Sequence, residues 1–319
     1  MTDFTPLQAL GPIAPFDSKG DQPLDDYLKY YGLAPLLTEH VGLYVGYLDT
    51  PRFRLWCQVW SPSEPIGTAF VVHGYYDHLG LYRHLLERLL AQRFRVVLWD
   101  LPGHGLSSGP RATIEDFEDY QHCLIHLQDY LGQQGLAPKP WLGVGQSTGA
   151  AILATDALTR PDSGHWAGLV LLAPLVRPWG WSQSSWVHWL ASPFVNQLPR
   201  KYRANTTDES FTSFLREQDP LQHNQLDVAW VSAMRRWMPR LLAQEPSLLP
   251  TLILQGEQDV TVDWKWNLAI LAEKFPNADI HCHPEARHHL VNEAEPIRRA
   301  LFTTLDEFVE KISISPNEL

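Results

Sequence analysis

Gly145-Gln146-Ser147-Thr148-Gly149 constrains this chain more than any other stretch. It lies between an apolar run, Trp141-Leu142-Gly143-Val144, and a helix-forming run, Ala150-Ala151-Ile152-Leu153-Ala154. That order reads as strand, tight turn, helix. A serine at such a turn is thrown off the strand end in a strained backbone conformation, with its hydroxyl exposed. A side chain two residues before or after it would collide with the strand or helix alongside. Glycine at 145 and 149 removes both side chains. The amide of Thr148, at the helix start, points to where an oxyanion would form. Read by itself, the pentapeptide is equally an ordinary glycine-rich turn with a solvated serine, so the rest of the chain has to decide.

Short apolar runs alternate with helical stretches on both sides of this turn. Strands are expected at Val41–Leu48, Arg54–Trp60, Thr68–Val72, Arg95–Trp99, Trp141–Val144, Gly168–Leu172, Thr251–Leu254 and Ile280–His283. The first two form an antiparallel pair across Asp49-Thr50-Pro51. Helices are expected near Tyr82–Gln92, Ile114–Gln133, Ala150–Leu158, Trp264–Lys274 and Pro296–Lys311, with a short one from Leu24 to Leu33. Such alternation implies right-handed crossovers and an α/β fold, a mostly parallel central sheet flanked by helices. Residues 1–40 read as an N-terminal arm, irregular over the first 24 residues. Residues 41–176 and 250–319 read as the core.

The interval 177–249 breaks the rhythm, with no clear strand. It opens Arg177-Pro178-Trp179-Gly180-Trp181 and continues through Trp186, Trp189, Trp230 and Trp237. Trp230, Val231, Met234, Trp237, Met238, Leu241 and Leu242 recur at helical spacing and mark one apolar face. Arg235, Arg236 and Arg240 lie off that face, and Pro239 is expected to kink or interrupt the helix. The interval reads as a mostly helical cap inserted between two strands of the sheet.

Composition narrows the function. With 319 residues, 45% hydrophobic and a net charge of −11, the chain is globular and ill suited to nucleic acid or to stable anchoring on an anionic membrane. Cys57, Cys123 and Cys282 are too widely spaced for a disulfide framework or zinc knuckle, so a reducing compartment, the cytoplasm, is expected. No signal peptide or bilayer-spanning run is read, which leaves the Asn205-Thr206-Thr207 sequon without meaning. Nothing in the sequence specifies an oligomeric state.

Open α/β sheets bind ligands beyond the carboxyl ends of their strands. After Phe70-Val71-Val72 comes His73-Gly74-Tyr75-Tyr76-Asp77-His78, a loop able to lend a second oxyanion amide, from Tyr75. Its spacing misses the H-x-H-x-D-H of dinuclear metal hydrolases, so no metal is expected, and His73 and His78 read as structural. Asp100 to Gly109 lacks the phosphate-cradling G-x-x-x-x-G-K-[ST], and Asp100 and His104 read as parts of a buried turn. After Leu252-Ile253-Leu254, Asp259 stands where a carboxylate would be delivered beside the turn, with Asp263 capping the helix at Trp264. After Ile280-His281-Cys282-His283, spacing offers His283, His288 and His289 as a base. His283 comes early, and only one of the adjacent pair can face the site.

These motifs together resemble the monoacylglycerol lipase and lysophospholipase-like α/β-hydrolases, grouped with serine aminopeptidase-type members. His73 to His78 is similar to that family's H-G-x-x-E-H, and Asp100 to Gly109 to its D-x-x-G-H-G-x-S-x-G. Gly145 to Gly149 is its nucleophile turn, Gly256 to Val262 is like G-x-x-D-x-x-V, and Ala286 to Leu290 is like A-x-H-x-x. The resemblance selects His288 as the base and gives the order Ser147, Asp259, His288. It implies a serine hydrolase that cleaves carboxylic esters through an acyl-enzyme, without a cofactor, and an apolar lipid-like monoester as substrate. Gln146 and Thr148 depart from the family's usual His and Met, and Tyr75 and Tyr76 replace smaller residues. The expected substrate contacts are Tyr76, Gln146, Trp179, Trp181 and Trp186, with Arg235 or Arg236 available to a phosphate. A peptidase using the same three side chains would need carboxylates such as Asp208, Glu209 or Glu217 for the substrate amine. An acyltransferase would differ in water exclusion, and a non-catalytic binding protein would ordinarily have lost one of the three.

Overall fold

The apolar runs line up as one nine-stranded sheet. From edge to edge the order is β1 (Ala14–Pro15), β2 (Val41–Asp49), β3 (Arg54–Pro62), β5 (Phe94–Trp99), β4 (Gly67–Val72), β6 (Trp141–Gln146), β7 (Trp166–Leu172), β10 (Thr251–Gly256) and β11 (Asp279–His283). The first three run antiparallel to their neighbours, and β5 through β11 are mutually parallel. This is the α/β-hydrolase fold. The computed structural model describes residues 2–16, 22–161, 165–181, 197–200 and 204–313. Trp186 and Trp189 fall outside them.

Strand alternation divides the apolar side chains between two cores. In β4, Ala69 and Val71 join one cluster while Phe70 and Val72 join the other; in β5, Val96 and Leu98 separate from Val97 and Trp99 in the same way. The first core is closed by α1 (Gln22–Tyr30), α2 (Arg83–Ala91) and α8 (Glu295–Ser313). Helix α8 turns Ile297, Leu301, Phe302, Leu305 and Phe308 inward at spacings of one face. The second core is closed by α3 (Glu118–Gln133), α4 (Thr148–Thr159), α6 (Val228–Leu242) and α7 (Trp264–Lys274). Each fully buried Leu or Phe on these faces contributes about 1.5–3 kcal/mol.

Three expectations are corrected. The first residues are not an irregular arm. Phe4, Leu7, Leu24, Tyr27 and Leu28 are buried in the first core, and Ala14–Pro15 pairs with β2. The interval between β7 and β10 does contain strands: β8 (Gln197–Pro199) and β9 (Gln225–Asp227) form an antiparallel ribbon flanking α5 (Glu209–Glu217). These are too short to show a period in sequence. Helix α6 runs through Pro239 without interruption. The proline removes the amide that would bond the Arg235 carbonyl, and buried Trp237 and Leu241 on either side hold the helix to the core against that loss.

The chain leaves β4 toward β5 on one side and returns to β6 on the other. The crevice therefore opens beyond the carboxyl ends of β4 and β6.

Candidate active site

Ser147 follows β6 directly, with φ 54° and ψ −108°, and α4 begins at the next residue. Such a conformation costs a non-glycine residue about 1–3 kcal/mol and persists only where its surroundings enforce it. Here they do. The Ser147 amide donates to Leu172 O at 2.8 Å, and its carbonyl accepts from Ala151 at 3.0 Å. A Cβ at Gly145 would stand 2.5 Å from the Gly149 carbonyl carbon, and one at Gly149 would stand 2.0 Å from Val72 O. The turn is thus wedged between its own helix and β4, which makes both glycines obligatory.

Ser147 Oγ lies 2.9 Å from His288 Nε2, and His288 Nδ1 lies 2.7 Å from Asp259 Oδ2. The carboxylate accepts the Nδ1 proton, which leaves Nε2 free to accept from the serine hydroxyl. Asp259 Oδ1 is held by the amides of Thr261 at 2.7 Å and Val262 at 3.2 Å, and Oδ2 also accepts from Gln255 Nε2 at 3.1 Å. Burial pushes the Asp259 carboxyl up, but His288 and then the Thr261 amide outweigh it, so the group is held below its ordinary value. Burial lowers the His288 pKa, while Asp259 and Asp77 raise it, and the carboxylates win.

The loops carrying this pair are stitched together. Gln258 N donates to Ala286 O at 3.0 Å and Glu257 N to His283 O at 3.0 Å. A Cβ on Gly256 would meet Arg287 O at 2.1 Å. Behind them, the buried Glu293 carboxylate accepts from Arg287 N at 2.5 Å and from Thr207 N at 2.7 Å. Glu293 and Gly256 are positioning residues, and of the two only Glu293 was absent from the sequence motifs. Gly256 had a visible signal, as the glycine ending an apolar run, but an isolated Glu293 had none.

Neither the Tyr75 amide nor the Thr148 amide is taken up by an acceptor among the described residues. Gly74 comes close to the elbow, since a Cβ there would stand 3.5 Å from Ser147 Cβ. The loop is fixed from behind: Tyr82 Oη accepts from Gly74 N at 3.0 Å and donates to Asp77 Oδ2 at 2.9 Å. His289 Nε2 lies 3.1 Å from the same Asp77 oxygen, so the second histidine of the pair faces this loop while His288 faces Ser147. His73 accepts from Leu101 N at 2.9 Å through Nε2, which leaves Nδ1 to donate to Gly74 O at 2.7 Å. Burial above all holds its pKa down, as suits a neutral ring making both bonds. Asp100 accepts from Leu79 N and Leu106 N and anchors the turn that includes His104.

Other expected contacts are engaged elsewhere. Gln146 is buried, and its amide donates to His288 O at 2.8 Å rather than standing open to a substrate. Trp179 is 55% exposed, and Trp181 is partly buried against the second core. Tyr76 turns its hydroxyl to Gln225 O at 3.1 Å, with Arg200 over its ring. Asp263 stands at the start of α7 without a side-chain bond to the helix amides; its carboxylate accepts from Arg177 at 2.9 and 2.6 Å instead. Arg236 lies against Glu115 O and Asp116, and Arg240 bonds Asp116 and Glu118. Asp208 caps α5 through Phe211 N, and Glu217 pairs with Arg216. No cluster of metal-ligating side chains occurs among the described residues.

Comparison with known proteins agrees with this architecture. Monoglyceride lipase of Rattus norvegicus is 29% identical over 288 residues, 83% of this chain and 91% of the relative. A Bacillus subtilis phospholipase, YtpA, is 23% identical over 64% of this chain and 80% of its own. Among solved structures, a soluble variant of Saccharomyces cerevisiae monoglyceride lipase superposes with a TM-score of 0.71 at 16% identity, covering 84% of this chain and 94% of the other. Monoacylglycerol lipase of Paleococcus ferrophilus superposes at 0.67 with 22% identity, covering 80% and 99%. The family profile described as "Serine aminopeptidase, S33" matches residues 63–295, most of the core and everything inserted in it, and the chain therefore belongs to that family of serine hydrolases.

Proposed function

We propose that this chain hydrolyses a lipid-like carboxylic monoester through an acyl-enzyme on Ser147. The observation that carries this reading is the line of contacts from Ser147 Oγ through His288 to Asp259, at 2.9 and 2.7 Å, beside two amides with no protein acceptor among the described residues. His288 takes the serine proton as Oγ attacks the ester carbonyl, and the charged imidazole is stabilised by Asp259. The carbonyl oxygen becomes an oxyanion held by the amides of Thr148 and Tyr75, each contributing about 2.7–4 kcal/mol to lowering the barrier. Collapse expels the alcohol, which receives the proton from His288. Water then attacks the acyl-serine by the same route, releases the fatty acid and restores the hydroxyl. No step calls for a metal or cofactor.

Residues 177–249 act as a cap over this floor, and their aromatic content suits an apolar acyl chain. A monoacylglycerol is favoured over a lysophospholipid, because Arg236, one of the two arginines offered to a phosphate, is committed to Glu115 O and Asp116. A peptidase is disfavoured, because two of the three carboxylates offered to a substrate amine are committed, Asp208 to a helix cap and Glu217 to Arg216. The cytoplasm fits three free thiols, no described helix is long and apolar enough to cross a membrane, and the net charge of −11 disfavours nucleic acid.

The test is labelling with a fluorophosphonate followed by a substrate panel. Ser147 should carry the label, and Ser147→Ala should lose it with the fold intact. Monoacylglycerols should be turned over faster than lysophospholipids, and aminoacyl amides hardly at all. Esterase activity surviving in Ser147→Ala would sink the assignment, and preference for aminoacyl amides would replace it with the peptidase reading.

A further inference from the structure

Helix α6 touches both halves of the proposed oxyanion hole. Near its start, the Trp230 indole stacks on the Tyr75 ring, centroids 4.0 Å apart and planes 23° from parallel. The Tyr75 hydroxyl donates to Ala112 O at 2.6 Å, so this side chain is pinned at its tip and across its face. Two helical turns on, the Trp237 indole N–H donates to Thr155 Oγ1 at 2.9 Å. Thr155 belongs to α4, the helix whose first residue is Thr148. Phe117 fills the space between the two tryptophans, 5.8 Å from Trp230 and stacked on Trp237 at 4.8 Å. Trp230 is itself oriented by an N–H bond to Tyr120 Oη at 3.2 Å.

One rigid element therefore bears on the side chain of the residue supplying one amide and on the helix supplying the other. We infer that α6 is a brace that sets the spacing of the Tyr75 and Thr148 amides, with Trp230 and Trp237 as positioning residues. This rests on the proposed reading of Ser147 and of those amides. The physical need is clear. Oxyanion donors act only when held about 2.7–3.1 Å from the developing charge, and Tyr75 sits in a loop whose next residue, Tyr76, has φ 69°. A bulky residue in that loop has a ring by which it can be gripped, which a small residue would lack. Sideways displacement of one amide weakens the transition state without altering ground-state binding of a short ester.

The experiment compares Trp230→Ala, Trp230→Phe and Trp237→Phe with the unaltered chain. Substrates are p-nitrophenyl acetate, with a two-carbon acyl group, and p-nitrophenyl decanoate; 1,1,1-trifluoroacetone probes the oxyanion hole as a transition-state mimic. Trp230→Ala should lower kcat on both esters by about 10- to 100-fold, with KM for acetate changed less than about twofold. Affinity for the ketone should fall in parallel with kcat. Trp230→Phe, which keeps a stacked ring, should recover most of the loss. Trp237→Phe, which keeps the ring and deletes the N–H bond, should show the same signature at about threefold to tenfold. A loss confined to decanoate, or to KM, or no loss at all, would overturn the brace and leave α6 as a wall. Should Trp230→Ala fail to fold, Trp237→Phe decides alone: the parallel fall supports the brace, unaltered kcat overturns it. Failure of the unaltered chain to label at Ser147 would instead break the functional reading, independently of these variants.

Discussion

Ser147 approaches Gly74 and Trp230 stacks on the next residue, Tyr75, yet the contacts that hold them differ in kind. Around Ser147, the site is a web of short polar contacts on buried loops, closed by backbone approaches that admit only glycine. Elsewhere, the described parts of the segment between β7 and β10 are held by stacked rings, by a buried ion pair and by surface arginines. The ion pair is His78 Nε2 with Asp219 Oδ2 at 3.0 Å, both fully buried, and Tyr31 Oη donates to the other Asp219 oxygen at 2.8 Å. The polar floor tolerates almost no change because each atom has a chemical task and a fixed distance. The aromatic contacts of α6 meet their requirement with ring area and shape, so exchange for another ring is tolerated there.

That contrast can be broken by substitution. Ser147→Ala or His288→Ala should reduce kcat by about 10⁴–10⁶-fold with little change in melting temperature, and the double variant should lose hardly more. Steady-state kinetics beside a thermal melt decides it. Asp259→Asn should cost about 10⁴-fold in kcat. Its pH profile is the sharper reading. With His288 raised above its ordinary 6.5, the neutral base disappears as pH falls through that raised value. The acidic limb of kcat/KM should therefore stand above 6.5 in the unaltered chain and move down in Asp259→Asn.

At the buried ion pair, His78→Ala should lower stability by about 3–5 kcal/mol, since it strands the Asp219 carboxylate, and denaturant unfolding measures it. Burial opposes the charge on His78, but Asp219 raises its pKa, and burial of Asp219 is outweighed by His78. The stabilisation is thus complete at acidic pH, below the unfolded histidine value, until Asp219 protonates. It is lost as pH rises through the raised His78 value. Arg240→Ala, at a half-exposed pair, should cost under about 1 kcal/mol and leave esterase rates unchanged. A large effect at Arg240, or a small one at His78, would erase the distinction between the buried ion pair and the surface arginines.

The sheet was readable because burial on two faces demands unbroken apolar runs, and parallel crossovers demand helices between them. The elbow was readable because glycine at 145 and 149 answers a steric need, seen in the fold as 2.5 and 2.0 Å approaches that a Cβ would make. The choice of His288 over its neighbours came from resemblance, since spacing left the adjacent pair open. What remained hidden depends on long-range partners. Gln146 and Glu293 are ordinary polar residues until the loops they bind lie beside them. The ribbon of β8 and β9 is too short to alternate, and the first residues look irregular because they follow other elements rather than form a core of their own.

Strand β1 has a consequence for assembly. It is only two residues long, and the second, Pro15, has no amide hydrogen. An outer edge of this kind gives an approaching strand almost no ladder to copy, so the sheet ends there. Recruiting the first residues to the core therefore also closes this side of the molecule to growth by strand addition.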